Sequence, residues 1–404
     1  MSYLGELAGR AALAAARLGL ATGDPVFAQN TGFTALMIVV VKAVIAFALL
    51  LASVMLMIWF ERKAIAWMQN RIGPNRAGPF GMMQTLADGI KLFFKEDLLP
   101  ESAEASVFRL APYLSAIPAF VVFAIVPVGG VVRVLGHTTI LQVADPPVGI
   151  LLLLAMSGIG IYGLMLAGWA SGSKYPLVGS VRASAQMISY EAALGLSIVT
   201  VVLVTGSLST RAIVEAQARN FWDWNVLRLG VVPFLIFLAA ATAELNRPPF
   251  DLVEGESELV GGFHTEYTSI SFALFYLAEF MNTITMSALI VTLFFGGPDG
   301  PIFHVPVLNW LMPIGWFFVK TVAFLFLYVW FRAALPRFRY DQLMHMGWKL
   351  LIPLAMVWLM VVAAFEVSVP AGFAVAGGSV IAGGVLYRSF TVGRARRMAQ
   401  TSRS

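Results

Sequence analysis

Runs of about 20 apolar residues recur along this chain, and they constrain the fold more than any other feature. A segment of that length is suited to lipid, and in lipid a helix satisfies its own backbone hydrogen bonds. The runs lie at about 33–60, 108–128, 147–169, 183–206, 229–246, 270–295, 314–334 and 346–367. Another, 371–387 (AGFAVAGGSVIAGGVLY), is rich in Gly and Ala and short for a span. The expected fold class is an all-α polytopic membrane protein. It has eight transmembrane helices, a ninth C-terminal span and one amphipathic interfacial helix. Charged residues make up 12% of the 404 positions, about half the share usual in soluble domains.

The basic residues set the orientation. The 61–106 connection carries Arg62, Lys63, Arg71, Arg76, Lys91 and Lys95, and 170–182 carries Lys174 and Arg182. The 335–345 connection carries Arg337 and Arg339, with Arg332 just inside the preceding span. Of the alternate connections, 129–146 has Arg133 alone, 207–228 has three Arg and 296–313 has none. The positive-inside rule therefore puts 61–106, 170–182, 247–269 and 335–345 on the inner side and the amino terminus outside. The Arg-rich tail favours the ninth crossing, which would bring it inside. These border positions account for the net charge of +5 without invoking nucleic acid.

Three regions follow. Residues 1–32 form an Ala-rich extension with a short surface helix, where Arg17 interrupts the apolar core a signal peptide needs. Residues 33–368 form the membrane domain, and 369–404 hold the last apolar run and the basic tail. The first span should end at WFERK (59–63). In the polar connection after it, NRIGPNRAGPFG (70–81) is rich in turn formers. Residues 82–95 then read as an amphipathic helix, with Met82, Leu86, Ile90 and Phe93 on one face and Asp88, Lys91 and Lys95 on another. Such a helix lies in the membrane interface or docks a partner.

Much chemistry is excluded. With no Cys there is no disulfide, no thiolate nucleophile and no Cys-ligated zinc or iron–sulfur centre. His137, His264, His304 and His345 lack metal-ligand spacing, so no metal site is expected. No phosphate loop, nucleophile elbow or dinucleotide fingerprint is present.

The acids are concentrated instead. LNRPPFDLVEGESELVGGFHTEY (245–267) holds Asp251, Glu254, Glu256, Glu258 and Glu266, with Arg247 as its only fixed counter-charge. Like charges this close raise one another's pKa values. Two readings stay open: a solvated acidic loop, or a proton-handling element at the mouth of a membrane cavity. The neighbouring spans favour the second. Glu191 lies ~12 Å and Glu279 ~14 Å along their helices from the inner end, at 1.5 Å per residue, and Glu244 sits near the inner end of the fifth span. Ionised carboxylates there are costly, so each is neutral, paired across helices or facing water. Tyr190 and Tyr267, beside Glu191 and Glu266, either extend a relay through their hydroxyls or anchor the helices at the border.

Three long motifs carry a resemblance. ERKAIAWMQNRIGPNRAGPFGMMQTLADGIKLFFKED (61–97), ISYEAALGLS (188–197) and AELNRPPFDLVEGESELVGGFHTEY (243–267) closely resemble one membrane subunit family of respiratory complex I, the proton-pumping NADH:quinone oxidoreductase. That family is called the H subunit or subunit 1, and the likeness runs over about 33–368. The resemblance implies eight spans and a chamber for quinone, ubiquinone or menaquinone, built with peripheral-arm subunits. It implies coupling of quinone reduction to proton translocation through buried acids, with no catalysis by this chain alone. NADH, FMN and iron–sulfur clusters would be held by partner subunits. Further partners would be small membrane subunits leading to antiporter-like ones. By matching motif, Tyr190, Glu191, Glu244 and Glu279 would line the proton channel. Glu61, Arg62 and Asp88 would lie near the quinone chamber. Arg247, Asp251, Glu254, Glu256, Glu258, Glu266 and Tyr267 would form the loop between the two.

The implied location is a bacterial plasma membrane, or alternatively the mitochondrial inner membrane. Residues 1–32 and the tail fall outside the likeness. Hydrogenase membrane anchors share helices and acids but generally have a less complete acidic loop. A stand-alone transporter would show internal repeats with interrupted helices, and a scaffold would not need intramembrane carboxylates.

Overall fold

The computed structural model describes residues 33–134, 136–218, 220–252, 259–301 and 308–381. Seven of its helices are long and apolar enough to cross a membrane. The chain runs α1 (Phe33–Met68), α2 (Gln84–Phe94), α3 (Ala105–Phe123), β1 (Val131–Val134), β2 (His137–Ile140), α4 (Gly149–Ala170) and α5 (Lys174–Thr205). It continues through α6 (Thr210–Gln217), α7 (Val231–Glu244), α8 (Ser269–Phe294), α9 (Leu308–Ala334), α10 (Tyr340–Met346) and α11 (Ile352–Val367). A π turn at Gly347–Leu351 joins the last two. Its cause is local: Pro353 has no N–H and its ring crowds the carbonyl four residues back.

Several expectations are corrected. The first span does not end at WFERK. It continues to Met68, and its 36 residues make a rod about 54 Å long against a hydrocarbon layer of about 30 Å. Glu61, Arg62 and Lys63 therefore sit on a helix rather than in a connection, because nothing in FERKAIAWM breaks a helix. The run at 183–206 likewise starts earlier, at Lys174. The run at 229–246 yields only the 14 residues of α7, bounded by Gly230 at a positive φ of 80° and by the Asn246–Pro249 turn. The connection at 129–146 is not wholly irregular: β1 and β2 pair antiparallel as a hairpin, Val131 opposite Ile140. The apolar run at 371–387 is described only in part, as a helix over Val369–Ile381. The 1–32 extension and the tail after 381 lie outside the described residues.

The hub is α8. It packs against α1, α2, α3, α6, α7 and α9, and 83% of its apolar window is buried. Its hydroxyls reach back along the helix: Thr283 Oγ1 donates to the Glu279 carbonyl at 2.9 Å and Ser287 Oγ to the Thr283 carbonyl at 2.8 Å. Small residues bring its neighbours close. Gly163 on α4 lies against Ser115 of α3, and Gly168 against Ser180 and the Pro176 carbonyl of α5. Helices in lipid associate through such close backbone approach. The amphipathic α2 does form, and Met82, Leu86, Ile90 and Phe93 are all exposed, as a face for lipid or a partner requires.

Candidate functional site

The turn after α7 is where the site begins. Gln186 on α5 donates from one amide nitrogen to the Ala243 carbonyl at 2.8 Å and the Phe250 carbonyl at 2.9 Å. That clamp sends Arg247 inward. Arg247 is 1% exposed and Glu61 is 4% exposed. Nη1 of Arg247 donates to Oε2 of Glu61 at 2.8 Å. Arg332 on α9 donates to the other oxygen of Glu61. Nε of Arg247 faces Glu279 Oε1 at 3.5 Å, and its guanidinium lies 4.8 Å from the centre of the Phe280 ring, a cation–π distance. Among the described residues Arg247 pairs with carboxylates of α1 and α8, where the turn buries it.

Two cavities flank this row of charges. The larger, ≈ 370 Å³, is lined by Glu61, Arg62, Arg71, Arg332 and Tyr276 among others. The smaller, ≈ 90 Å³, has Glu244, Glu279, Ser157, His264 and Asn282 in its wall, and has room for several waters. Tyr276 borders both.

Ser157 on α4 donates to Oε1 of Glu244, while Oε2 of Glu244 is buried without a hydrogen-bond partner among the described residues. Glu191 lies behind that wall. Its carboxylate is 3.8 Å from where a Cβ on Gly158 would stand, next to Ser157. Glu279 and Glu244 share the wall of one cavity, and Glu191 stands close to the α4 turn that carries Ser157.

The other predicted residues fall to either side. Asp88 on α2 accepts from Arg62 at 2.7 Å and from Gln84 at 3.2 Å. Burial pushes its carboxyl up, but the Arg62 guanidinium outweighs that and holds it below the usual carboxylate range. Asp251 accepts from Arg337 at 2.8 Å. The Tyr190 hydroxyl donates to the Leu343 carbonyl at 3.0 Å, tying α5 to α10 rather than to Glu191. The Tyr267 hydroxyl donates to the Phe108 carbonyl at 3.0 Å, and the two rings stack 3.9 Å apart. Burial raises the pKa of the Tyr267 phenol. Both tyrosines have the geometry of anchors. Glu266 is partly buried and outside both cavity walls. Glu254, Glu256 and Glu258 lie outside the described residues.

Sequence reasoning missed Arg332, Ser157, Gln186 and Tyr276 as site residues. Arg332 carried a signal: an Arg inside the end of an apolar run is a functional candidate as well as an orientation marker. Ser157 carried none, since a Ser in a membrane helix is commonplace.

His264 also lines the smaller cavity, between the rings of Phe263 and Phe272 at 5.0 and 5.3 Å. Burial pushes its imidazole from 6.5 down to about 4. The unfolded imidazole takes up a proton below about 6.5 while the folded one stays neutral until about 4. Stability from this group is therefore complete above that window and falls as the pH drops through it. Melting of the purified protein in its assembly should shift to lower temperature between about pH 7 and pH 5, with His264→Asn flattening part of that slope.

Fold and site together define a class: a polytopic helical membrane protein with a buried ion-pair row between two cavities. Comparison with known sequences narrows it. The model of the NADH dehydrogenase family matches residues 41–363. The NADH-quinone oxidoreductase H subunit of Frankia alni is 50% identical over 335 residues, covering 82% of this chain and 73% of that protein. The Streptomyces avermitilis H subunit is 50% identical over 333 residues, covering 81% and 72%. An H subunit of Koribacter versatilis, the one numbered 2, is 48% identical over 344 residues, covering 82% and 97%. The chain belongs to this family, the membrane-embedded H subunits of NADH-quinone oxidoreductase.

Proposed function

We propose that this subunit forms a quinone chamber with peripheral-arm subunits and couples quinone reduction to proton translocation. The observation that carries the reading is the unbroken ionic contact from the larger cavity to the smaller one, Glu61 to Arg247 to Glu279. Reduction of a quinone takes two electrons, delivered by partner subunits, and two protons. Negative charge appearing in the larger cavity acts on Glu61 and Arg332, and Arg247 carries the effect to Glu279. Glu244 and Glu191 then lead the response away from the chamber. The nucleotide, flavin and iron–sulfur centres belong to partner subunits, and this chain contributes charge and shape. Ubiquinone and menaquinone share the required head-group chemistry.

The same reading gives eight membrane crossings, with α7 as the fifth, and a ninth continuing from Val369. It sets the membrane domain at 33–368 between two extensions. In this reading the amino terminus lies outside, as the distribution of Lys and Arg among the loops supports, and the membrane is a bacterial plasma membrane. Small membrane subunits receive the proton signal and pass it to antiporter-like ones. In this reading Arg247, Asp251, Glu254, Glu256, Glu258, Glu266 and Tyr267 would belong to the loop between chamber and channel, and Tyr190 would line the channel.

The test is purification of the assembly in mild detergent, followed by NADH-driven quinone reduction and proton uptake in liposomes. Glu244→Gln and Glu279→Gln should each lower coupled turnover by about tenfold or more, because positioned proton transfer is typically worth roughly 10²–10⁴. Assembly should survive both changes. Normal pumping in both variants would refute the channel role of these two acids.

A further inference from the structure

The loop FGGPDG (295–300) closes the C-terminal end of α8, and the function proposed above makes no use of it. Glycine turns its backbone. Gly296 and Gly297 have φ of 69° and 56°, and neither has room for a side chain. An added Cβ would stand 2.7 Å from Nε1 of Trp224 at the first and 2.8 Å from Val214 at the second. Two amide side chains hold the same region. Gln217 donates to the Thr292 carbonyl at 3.0 Å and accepts from the Gly296 N–H at 3.1 Å. Asn225 donates to the Leu293 carbonyl at 2.7 Å. The last carbonyls of a helix have no partner within it, so these contacts fix the helix end and the loop together.

The turn leaves three carbonyls converging on one atom. Nζ of Lys320, on α9, donates to the carbonyls of Phe295 at 2.8 Å, Gly297 at 3.1 Å and Asp299 at 2.6 Å. A lysine ammonium has three N–H donors, and each has one carbonyl here. The centre of the Trp224 ring lies 4.4 Å from the same nitrogen, a cation–π distance. Among the described residues no ion pair includes Lys320. The charge is therefore held by backbone oxygens and an indole rather than by a carboxylate.

We propose that this loop is a binding site for a monovalent cation of ammonium or potassium size, and that Lys320 is its tethered occupant. Backbone carbonyls bind potassium by replacing its hydration shell, and ammonium is of similar size. A positive charge at this point also suits the negative end of the α8 dipole. The glycines, Gln217 and Asn225 shape the loop without help from the lysine. The carbonyls therefore stay convergent when the Lys320 side chain is cut back, and a free ion takes the place of Nζ. The site demands charge and size, and the lysine stem only delivers them. The inference is independent of the quinone reading, because it is judged by ion binding alone.

The experiment compares Lys320→Ala with the wild type in the intact assembly, purified in mild detergent. Melting temperature is measured in ammonium, potassium, lithium and choline chloride at one ionic strength and one pH. In choline chloride the variant should melt several degrees below the wild type. Ammonium and potassium should close most of that gap. Lithium, with its tightly held hydration shell, should leave it open. The same gap in all four salts overturns the site. If Lys320→Ala does not assemble even in ammonium chloride, Asp299→Asn decides, because it keeps the backbone carbonyl and removes the carboxylate. Assembly and melting like the wild type support the carbonyl site. Failure to assemble, as in Lys320→Ala, overturns it, since Lys320 would then answer to the carboxylate.

Discussion

Replacing Arg247 with alanine is expected to cost most of the assembled protein. The side chain is 1% exposed and neutralises Glu61 at 2.8 Å and Glu279 at 3.5 Å. A buried ion pair adds little stability compared with an apolar pair of similar shape. Deleting one partner is different, because the other charge is left buried, at a cost of about 3–5 kcal/mol. Here Glu61 retains Arg332, and Glu279 is 25% exposed, so the loss should lie toward the lower end of that range. That is a large fraction of the stability of an ordinary domain. The measurement is the amount of intact assembly in native membranes, followed by its melting temperature in detergent. Arg211→Ala supplies the comparison, since its i,i+4 pair with Glu215 at 2.7 Å is exposed and is worth only about 0.3–0.5 kcal/mol. Equal accumulation of the two variants would show that Arg247 is not an essential neutralising group.

The second large effect is steric. Gly168→Val should force α4 and α5 apart, because the added side chain meets Ser180 and the backbone carbonyl of Pro176. A flexible side chain could turn aside, but a backbone carbonyl cannot. Overpacking of a close contact costs about 1–3 kcal/mol and sometimes more. In lipid the loss of close helix approach is not repaid by a hydrophobic effect between the separated helices. Gly160 on the same helix lies in the wall of the smaller cavity, with no atom within 4 Å of an added Cβ. Gly160→Val therefore changes propensity and bulk without the clash. A clear drop in assembly yield and melting temperature for Gly168→Val, and a small one for Gly160→Val, is the expected outcome. Matching losses would mean that both act through the helix itself.

The position of these groups explains what was legible beforehand. Most of the expected spans correspond to helices of the fold, because a long apolar run determines its own structure in lipid. Among the described residues α7 fell short, where Gly230 and the Asn246–Pro249 turn limit it, and the last run is described only over Val369–Ile381. Glu191, Glu244 and Glu279 stood out in the sequence because an acid inside an apolar run is conspicuous, and two of them, Glu244 and Glu279, line one cavity. Helix ends were harder to read. Charged residues at WFERK resemble a membrane border, yet α1 runs through them as a protruding helix. The partners of Arg247 on α1 and α8 were not legible, because they lie far from it in sequence.

Order along the chain was enough for the class of fold, the approximate spans, the amphipathic α2 and the family. These follow from local rules: hydrophobic length, periodicity and contiguous motifs. The ion-pair row and the two cavities exist only once the helices have packed. Glu61 and Arg247 are 186 positions apart, and Glu61 and Arg332 are 271 apart. Charge pairs form where helices cross in three dimensions, and burial makes each buried charge find a partner there, whatever its distance along the chain.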